Sequence, residues 1–416
     1  LIYTSGTTGR PKGCMLTHGN FMFELTVAID ELDELFELEG ASTLLFLPLA
    51  HVFARIIQVG CVKARVRVGH SADIKNLLDD FAEFRPTFIL AVPRVFEKVF
   101  NTASQRAAAD GNGNGKIFGR AVDVAIAYSR GLETGRTPLS VRAQHKLFDR
   151  LVYGKLRQAL GGKCAYAVSG GAPLGERLGH FYRGVGVNVL EGYGLSETTA
   201  ALTANLPEAQ KVGTVGRPLQ GTSVRVGEDG ELLFQGGQVF TGYWHNDAAT
   251  ARSKEADGWF HSGDVGEVDD EGFVRITGRK KEILVTAGGK NVAPAVLEDR
   301  VRASPLVDQC IVVGDGRPFI AALVTVDPET FPAWAKQHDK SGSLADLVDD
   351  PDLRAEVGEA IEDANKAVSR AESIRKFAIL PERWTEEGGQ LTPSLKLKRN
   401  VVMREAHEDV EALYAR

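Results

Sequence analysis

At 416 residues the chain is long enough for two or three domains with a sizeable buried core. Its 43% hydrophobic and 25% charged residues are ordinary for a globular protein, and 49 basic against 55 acidic side chains leave a net charge of −6, which argues against a dedicated nucleic-acid binder. Cys14, Cys61, Cys164 and Cys310 are far apart with no CxxC pair, so neither a disulfide framework nor a zinc ribbon is expected, a reducing cytoplasm fits, and no apolar run reaches the roughly 18 residues of a membrane span.

Ile2 and Tyr3 read as the end of a buried strand that runs straight into a glycine loop. Such strands rarely open a protein, and no charged-then-apolar signal peptide follows, so further sequence is expected upstream of Leu1. Strands are predicted at residues 43–47, 87–92, 164–168 and 188–190, and helices at 74–84, 119–130 and 141–160. In the last helix Leu147, Leu151 and Leu160, with Phe148, Val152 and Leu156, form the expected buried stripe. Residues 110–115, DGNGNG, read as a flexible loop. This alternation argues for an α/β fold built on a layered, largely parallel sheet.

From about Thr222 the texture becomes β-rich, with strands at 223–226, 231–235 and 272–277 between acidic glycine turns. A third region, α+β, follows Arg279. It has strands at 309–313 and 319–326 and a long helix near 352–369 whose buried face carries Leu353, Val357, Ile361 and Val368. The expected division is a core at 1–221, a small β-rich subdomain at 222–280 and a C-terminal domain at 281–416. Four predicted strands end in polar or glycine-rich elements: the opening loop, PLAH, SGGAPL and EGYGLSET. Ligands collect at the carboxyl ends of strands in open α/β sheets, so one shared site is expected.

The loop TSGTTGRPKG supplies backbone through Gly6 and Gly9, hydroxyls through Thr4, Ser5, Thr7 and Thr8, and a positive charge at Lys12. That combination suits a polyphosphate. It is not a Walker A loop, because Pro11 precedes Lys12 and Gly13 follows it.

YTSGTTGRPKG resembles the phosphate loop of the adenylate-forming superfamily, which includes acyl-CoA synthetases, firefly luciferase and nonribosomal-peptide adenylation domains. PLAHVFAR (48–55), SGGAPL (169–174), EGYGLSETTA (191–200), GWFHSGDVGEVDDEGFVRITGRKKE (258–282), GGKNVAPAVLE (288–298) and LTPSLKLKR (391–399) follow in the family's order. The resemblance spans essentially the whole chain, and family members carry a further large region before the phosphate loop.

The resemblance implies an ATP site with a role for each motif. Tyr193 offers a flat face to adenine, within Glu191, Gly192 and Gly194 of the same motif, while Gly170, Gly171 and Ala172 lay backbone against the adenine edge. Ser196 offers a hydroxyl to phosphate. Glu197 is the implied Mg²⁺ ligand, with Ser5 beside the metal, since Mg²⁺ takes one or two carboxylates and keeps several waters. Asp264 suits the two hydroxyls of a ribose, with Arg279 on the ribose or phosphate. His51, a lone histidine in an apolar stretch that would ordinarily be core, matches the family position beside the reacting carboxylate.

Lys396 is implied as the mobile ammonium that stabilises charge as a carboxylate attacks phosphorus. Lys398 would face the same side of a strand, and only alignment to the family separates the two. Lys281 falls at the family's hinge, about which a mobile C-terminal domain rotates. In its second pose Gly288 and Gly289 line the route for coenzyme A. Two departures from the family pattern stand out: Ser262 replaces a commoner Thr, and Leu395 replaces the Gly before Lys396.

Within the superfamily the chain resembles the long-chain fatty acid–CoA ligases. The helical stretch 101–161, the PSLKLKR ending and the likeness of PLAHVFAR and SGGAPL carry that reading. It implies fatty acid, ATP and coenzyme A as substrates, no nucleic acid, and a cytoplasmic location with room for peripheral membrane contact. The alternatives are a fatty-acyl-AMP ligase loading a carrier protein, and a nucleotide-binding fragment without turnover. The first would carry an insertion hindering rotation, and none is evident near 217–279.

Overall fold

The computed structural model describes residues 1–4, 11–72, 76–109, 113–392 and 397–415. Ser5, Gly6, Thr7, Thr8, Gly9 and Lys396 of the expected site lie outside the described residues, as does part of the predicted loop at 110–115. By its internal contacts the chain divides into two units. The first comprises Leu1–Thr4, Lys12–Ser262 and Gly266–Ile276, and the second comprises Gly263–Val265 with Thr277–Arg416.

The first unit is built on a sheet whose strands Phe88–Ala91, Tyr166–Ser169 and Asn188–Leu195 run parallel, with Ala91 beside Ser169 and Ser169 beside Glu191. Strand Ser42–Leu45, itself parallel to Arg67–His70, lies next to Phe88–Ala91. Its edge is fixed where Thr87 N–H donates to the Ser42 carbonyl at 2.9 Å. Parallel strands covered on both faces need apolar residues at every position, and FILA supplies them. Side chains alternate across a strand. Accordingly Ile89 and Ala91 join Phe96, Phe100, Ala121 and Phe181 on one side. Phe88 and Leu90 join Leu25, Leu35 and Ile57 on the other.

The sheet is mixed where a largely parallel one was expected. The strand predicted to stop at residue 190 continues to Leu195, and the chain then reverses through Ser196–Thr198 into the antiparallel strand Ala200–Ala204. A reversal this short permits only antiparallel pairing.

The predicted helix at 141–160 also differs. Helix Leu139–Phe148 passes into a π-helical turn, Asp149–Tyr153, before helix Gly154–Ala159. The π turn adds a residue to the repeat and rotates the stripe. Phe148, Tyr153, Leu156 and Leu160 are buried, whereas Leu147 and Leu151 are 55% and 50% exposed. Helix Asn114–Glu133 starts inside the predicted loop, and the helix predicted from 74 is described as Leu77–Phe84. Strands Ser223–Val226 and Glu231–Gln235 form as predicted and pair antiparallel, Val224 opposite Phe234. Phe260–Val268 and Val274–Arg279 complete that four-stranded sheet.

The second unit centres on strands Val307–Val313, Ile320–Val326 and Ile374–Leu380. Val312 and Val324 pack with Leu297, Leu353, Val357 and Ile361 from two helices. Ile311 and Leu323, on the opposite face, pack with Val402, Val410 and Leu413. The long helix runs Pro351–Asn365 because Asp350 accepts from the N–H groups of Asp352 and Leu353, with Pro351 in the first turn. Among the described residues no helix is long and apolar enough to cross a membrane.

Candidate functional site

In the first unit the glycine loop springs from an antiparallel hairpin, Ile2–Tyr3 with Gly13–Met15. Its neck is closed by two hydrogen bonds. Thr4 N–H donates to the Lys12 carbonyl at 2.9 Å, and Lys12 N–H donates to Thr4 Oγ1 at 3.0 Å. A third strand, Gly242–Tyr243, pairs on the far side with Tyr243 opposite Cys14, and Trp244 N–H donates to the Gly13 carbonyl at 2.8 Å.

That pairing sets the Tyr243 ring beneath Lys12, whose Nζ lies 4.1 Å from the ring centroid. The Tyr243 hydroxyl donates to Glu197 Oε1 at 2.6 Å. Burial first, and the Glu197 charge second, push the Tyr243 phenol above its usual range and keep it a donor. The same two causes push up the Cys14 thiol. Lys12, Tyr243 and Glu197 thus form a connected cation–ring–hydroxyl–carboxylate series. Nothing in the sequence signals Tyr243, which lies 46 positions from its partner.

Glu197 sits in a tightly fixed turn. Phe240 N–H donates to its carbonyl at 2.8 Å, and Leu195 N–H donates to Thr198 Oγ1 at 2.9 Å. Thr199 and Ala200 follow at φ of 55° and 111°, conformations that L residues adopt only when the surroundings impose them. The buried Thr199 hydroxyl donates to the Gln238 carbonyl at 2.7 Å. At Gly194 a Cβ would stand 1.4 Å from the Ala200 carbonyl oxygen, so the turn tolerates no side chain there. Behind it the buried Glu24 accepts from Ala201 N–H at 2.9 Å, and burial pushes its carboxyl up to about 8.

SGGAPL and EGYG are joined by register and by Glu191, whose Oε1 accepts from Leu174 N–H at 3.0 Å. Glu191 therefore holds the SGGAPL turn. A Cβ on Gly170 would lie 3.6 Å from the Gly192 carbonyl and 3.8 Å from the Phe53 ring, so the PLAHVF segment reaches the same corner. Gly171 and Ala172 are exposed, Tyr193 and Ser196 are half-buried, and the Tyr193 ring lies 5.8 Å from that of Phe234. His51 is half-buried and immediately precedes helix Val52–Lys63. SGGAPL, EGYG and PLAHVF thus share one corner of the first unit, and Lys12 connects to the later part of the same EGYGLSE segment through Tyr243 and Glu197.

In the second unit the buried Asp264 pairs with Arg279, Oδ1 to Nε at 3.1 Å. The exposed Lys281 lies in a turn where Glu282 and Ile283 N–H both donate to the Arg279 carbonyl, at 2.9 and 3.1 Å. Gly288 and Gly289 are exposed at the tip of the hairpin Leu284–Val285 with Asn291–Val292. Lys398 stands at the N-cap position of helix Arg399–Glu405, and its relation to Lys396 lies outside the described residues. The adjoining Arg399 bonds Glu298 and the Val312 carbonyl.

Among the described residues no three His, Cys, Asp or Glu side chains cluster as a metal cage. The donor set instead has Glu197, a carboxylate with one oxygen already oriented by Tyr243, close to the neck of a phosphate-type loop. Such a set fits Mg²⁺, which prefers one or two carboxylates together with phosphate oxygens and water.

Residues 1–244 match the family described as AMP-binding enzyme, and residues 281–416 match its C-terminal domain. Over 416 residues the chain is 55% identical to the long-chain-fatty-acid–CoA ligase FadD15 of Mycobacterium tuberculosis (strain ATCC 25618 / H37Rv), all of this chain aligning with 69% of that protein. It is 32% identical over 445 residues to the long-chain-fatty-acid–CoA ligase ACSBG2 of Gallus gallus, covering 58% of it. The crystal structure of the adenylation domain of a carboxylate reductase from Mycobacterium chelonae superimposes with a TM-score of 0.74 at 25% identity, over 100% of this chain and 60% of that one.

Proposed function

The chain belongs to the AMP-binding enzyme family, and from that premise we infer that it is a long-chain fatty acid–CoA ligase. The reaction has two steps. The fatty carboxylate attacks the α-phosphorus of ATP, forming acyl-adenylate and releasing pyrophosphate. The coenzyme A thiolate then attacks the acyl carbon and expels AMP. One observation carries this reading: 55% identity, along the entire chain, to a long-chain-fatty-acid–CoA ligase. The same identity favours coenzyme A over a carrier protein as acceptor.

The residues divide the work as follows. Thr4 and Lys12, with Ser5, Gly6, Thr7, Thr8 and Gly9 between them, take the triphosphate at the closed neck of the loop. Glu197 and Ser5 hold Mg²⁺, which when bound neutralises charge on the phosphate oxygens. Gly170, Gly171, Ala172, Gly192, Tyr193 and Gly194 receive the adenine, and Glu191 keeps their two turns together. Ser196 donates to phosphate. Asp264, set by Arg279, takes the ribose hydroxyls. His51 stands by the reacting carboxylate, and Lys396 offsets the charge that develops during attack.

Residues 1–221 form the core, 222–280 a β-rich subdomain and 281–416 a C-terminal domain that turns about Lys281. The family match beginning at 281 supports that boundary. In the second pose Gly288 and Gly289 line the route for coenzyme A. The enzyme works in the cytoplasm, at the edge of membranes that hold its substrate.

The test is incubation with a long-chain fatty acid, ATP and Mg²⁺, reading pyrophosphate, followed by addition of coenzyme A, reading thioester. Both products are expected. Pyrophosphate without thioester would favour the adenylate-only ligase, and neither product would favour a non-catalytic fragment.

A further inference from the structure

The leucines that the sequence places in the core but the structure places outside it stand in a patterned surface. Leu139, Ala143, Leu147 and Leu151 are spaced by four along helix Leu139–Phe148 and the π turn, and all four are exposed. Leu139 is 82% exposed. Arg142, Lys146 and Arg150 form the adjacent stripe, also exposed. Between Arg136 and Gln158 there are six lysines and arginines against one carboxylate, Asp149, and that one is paired with Arg157 at 2.7 Å. The chain as a whole carries −6, so this positive face opposes the general balance.

The neighbouring helix extends the surface. Arg120 donates to Gln144 at 3.0 Å, and the exposed Lys116 and Ile117 lie one turn before it. The inner face of the segment is fixed by three contacts. The Tyr153 hydroxyl donates to the Ala121 carbonyl at 2.7 Å, His145 Nε2 meets the Gly184 carbonyl at 2.6 Å, and the His145 ring stacks on Tyr128 at 3.8 Å.

We propose that this face, Leu139–Leu151 with its flanking arginines and lysines, is a docking surface for an anionic lipid bilayer. An apolar stripe bordered by cations on a helix is the pattern that lies in a membrane interface, leucines in the acyl boundary and cations among phosphates. The charge sign selects anionic lipid. A polar protein partner would not need a row of leucines, and a second copy would bring like charges together. Docking there holds the enzyme against the phase in which a long-chain fatty acid partitions. This surface is independent of the nucleotide site.

The test is co-sedimentation of the whole chain with phosphatidylglycerol–phosphatidylcholine vesicles and with pure phosphatidylcholine vesicles, at low and high salt. Binding to the anionic vesicles, weakened by salt, is expected. Leu147→Ser with Leu151→Ser, and separately Lys146→Glu with Arg150→Glu, should each lower that binding at least ~10-fold, through lost apolar insertion and lost attraction to the anionic surface respectively. Val62→Ser, at a 76% exposed position on another helix, should leave it unchanged. Activity of both double variants on a dissolved fatty acid should equal that of the parent. The proposal is overturned if the parent ignores anionic vesicles, if the double variants bind as the parent does, or if Val62→Ser weakens binding equally. It is also overturned if the leucine variant abolishes self-association instead.

Discussion

Replacing Tyr243 by Phe removes one oxygen from the centre of the site and leaves the ring in place. Lys12 keeps its ring partner, at 4.1 Å from the centroid, while Glu197 loses the donor at 2.6 Å. A hydrogen bond to a charged acceptor contributes roughly 1.5–3 kcal/mol, and the buried position of the phenol leaves little water to replace it. If that bond orients Glu197 in the adenylation step, Tyr243→Phe should slow pyrophosphate release ~10- to 100-fold. It should also raise the Mg²⁺ concentration at half-maximal rate. Calorimetry of ATP binding with and without Mg²⁺ supplies a readout free of turnover: the variant should bind ATP as the parent does without the metal, and more weakly with it. Tyr243→Leu, which also removes the ring beneath Lys12, should weaken ATP binding even without metal. The reasoning fails if Tyr243→Phe matches the parent in both rate and Mg²⁺ dependence, since Tyr243 would then only fill space.

Three further outcomes are expected. Lys396→Ala should lose at least ~100-fold in adenylate formation while thioester formation from preformed acyl-adenylate survives, and the assignment is wrong if Lys398→Ala shows that pattern and Lys396→Ala is silent. Lys281→Pro, which fixes φ near −65°, should leave pyrophosphate release measurable and impair transfer to coenzyme A; normal thioester output removes the hinge. Burial raises the Glu24 carboxyl from its ordinary 4.5 to about 8, so the fold favours its protonated form. Stability from this group is full below pH 4.5 and falls by up to about 1.4 kcal/mol per pH unit as pH rises toward 8. Glu24→Gln should therefore gain on the parent in urea midpoint across that window, and parallel curves would show that Glu24 does not titrate with folding.

The candidate site stood out in the sequence because the residue types that a polyphosphate site calls for are conspicuous: clustered hydroxyls and glycines, and a carboxylate set in a glycine turn. The buried strands were legible for a similar reason, since Phe88–Ala91 needs apolar side chains on both faces. Other features arise from tertiary packing, which local pattern does not carry. Leu147 and Leu151 are exposed although their spacing is helical, because the buried stripe at the π turn Asp149–Tyr153 runs through Phe148, Tyr153 and Leu156 instead. The antiparallel return after Leu195 depends on the strained pair Thr199 and Ala200, which no local propensity anticipates. Tyr243 meets Glu197 only because Gly242–Tyr243 pairs with Gly13–Met15, a contact between distant segments. Glu191 reads in the sequence as a ligand contact, and the structure shows it clamping the SGGAPL turn.

The central claim is that one chain carries out both half-reactions on a long-chain fatty acid. Its most direct test is a single-turnover experiment with limiting labelled fatty acid, excess ATP and Mg²⁺, sampled before and after coenzyme A is added. The account predicts that acyl-adenylate accumulates first and is then converted to acyl-CoA with stoichiometric release of AMP. Acyl-adenylate that persists after coenzyme A is added, or label that never leaves the free acid, would contradict it.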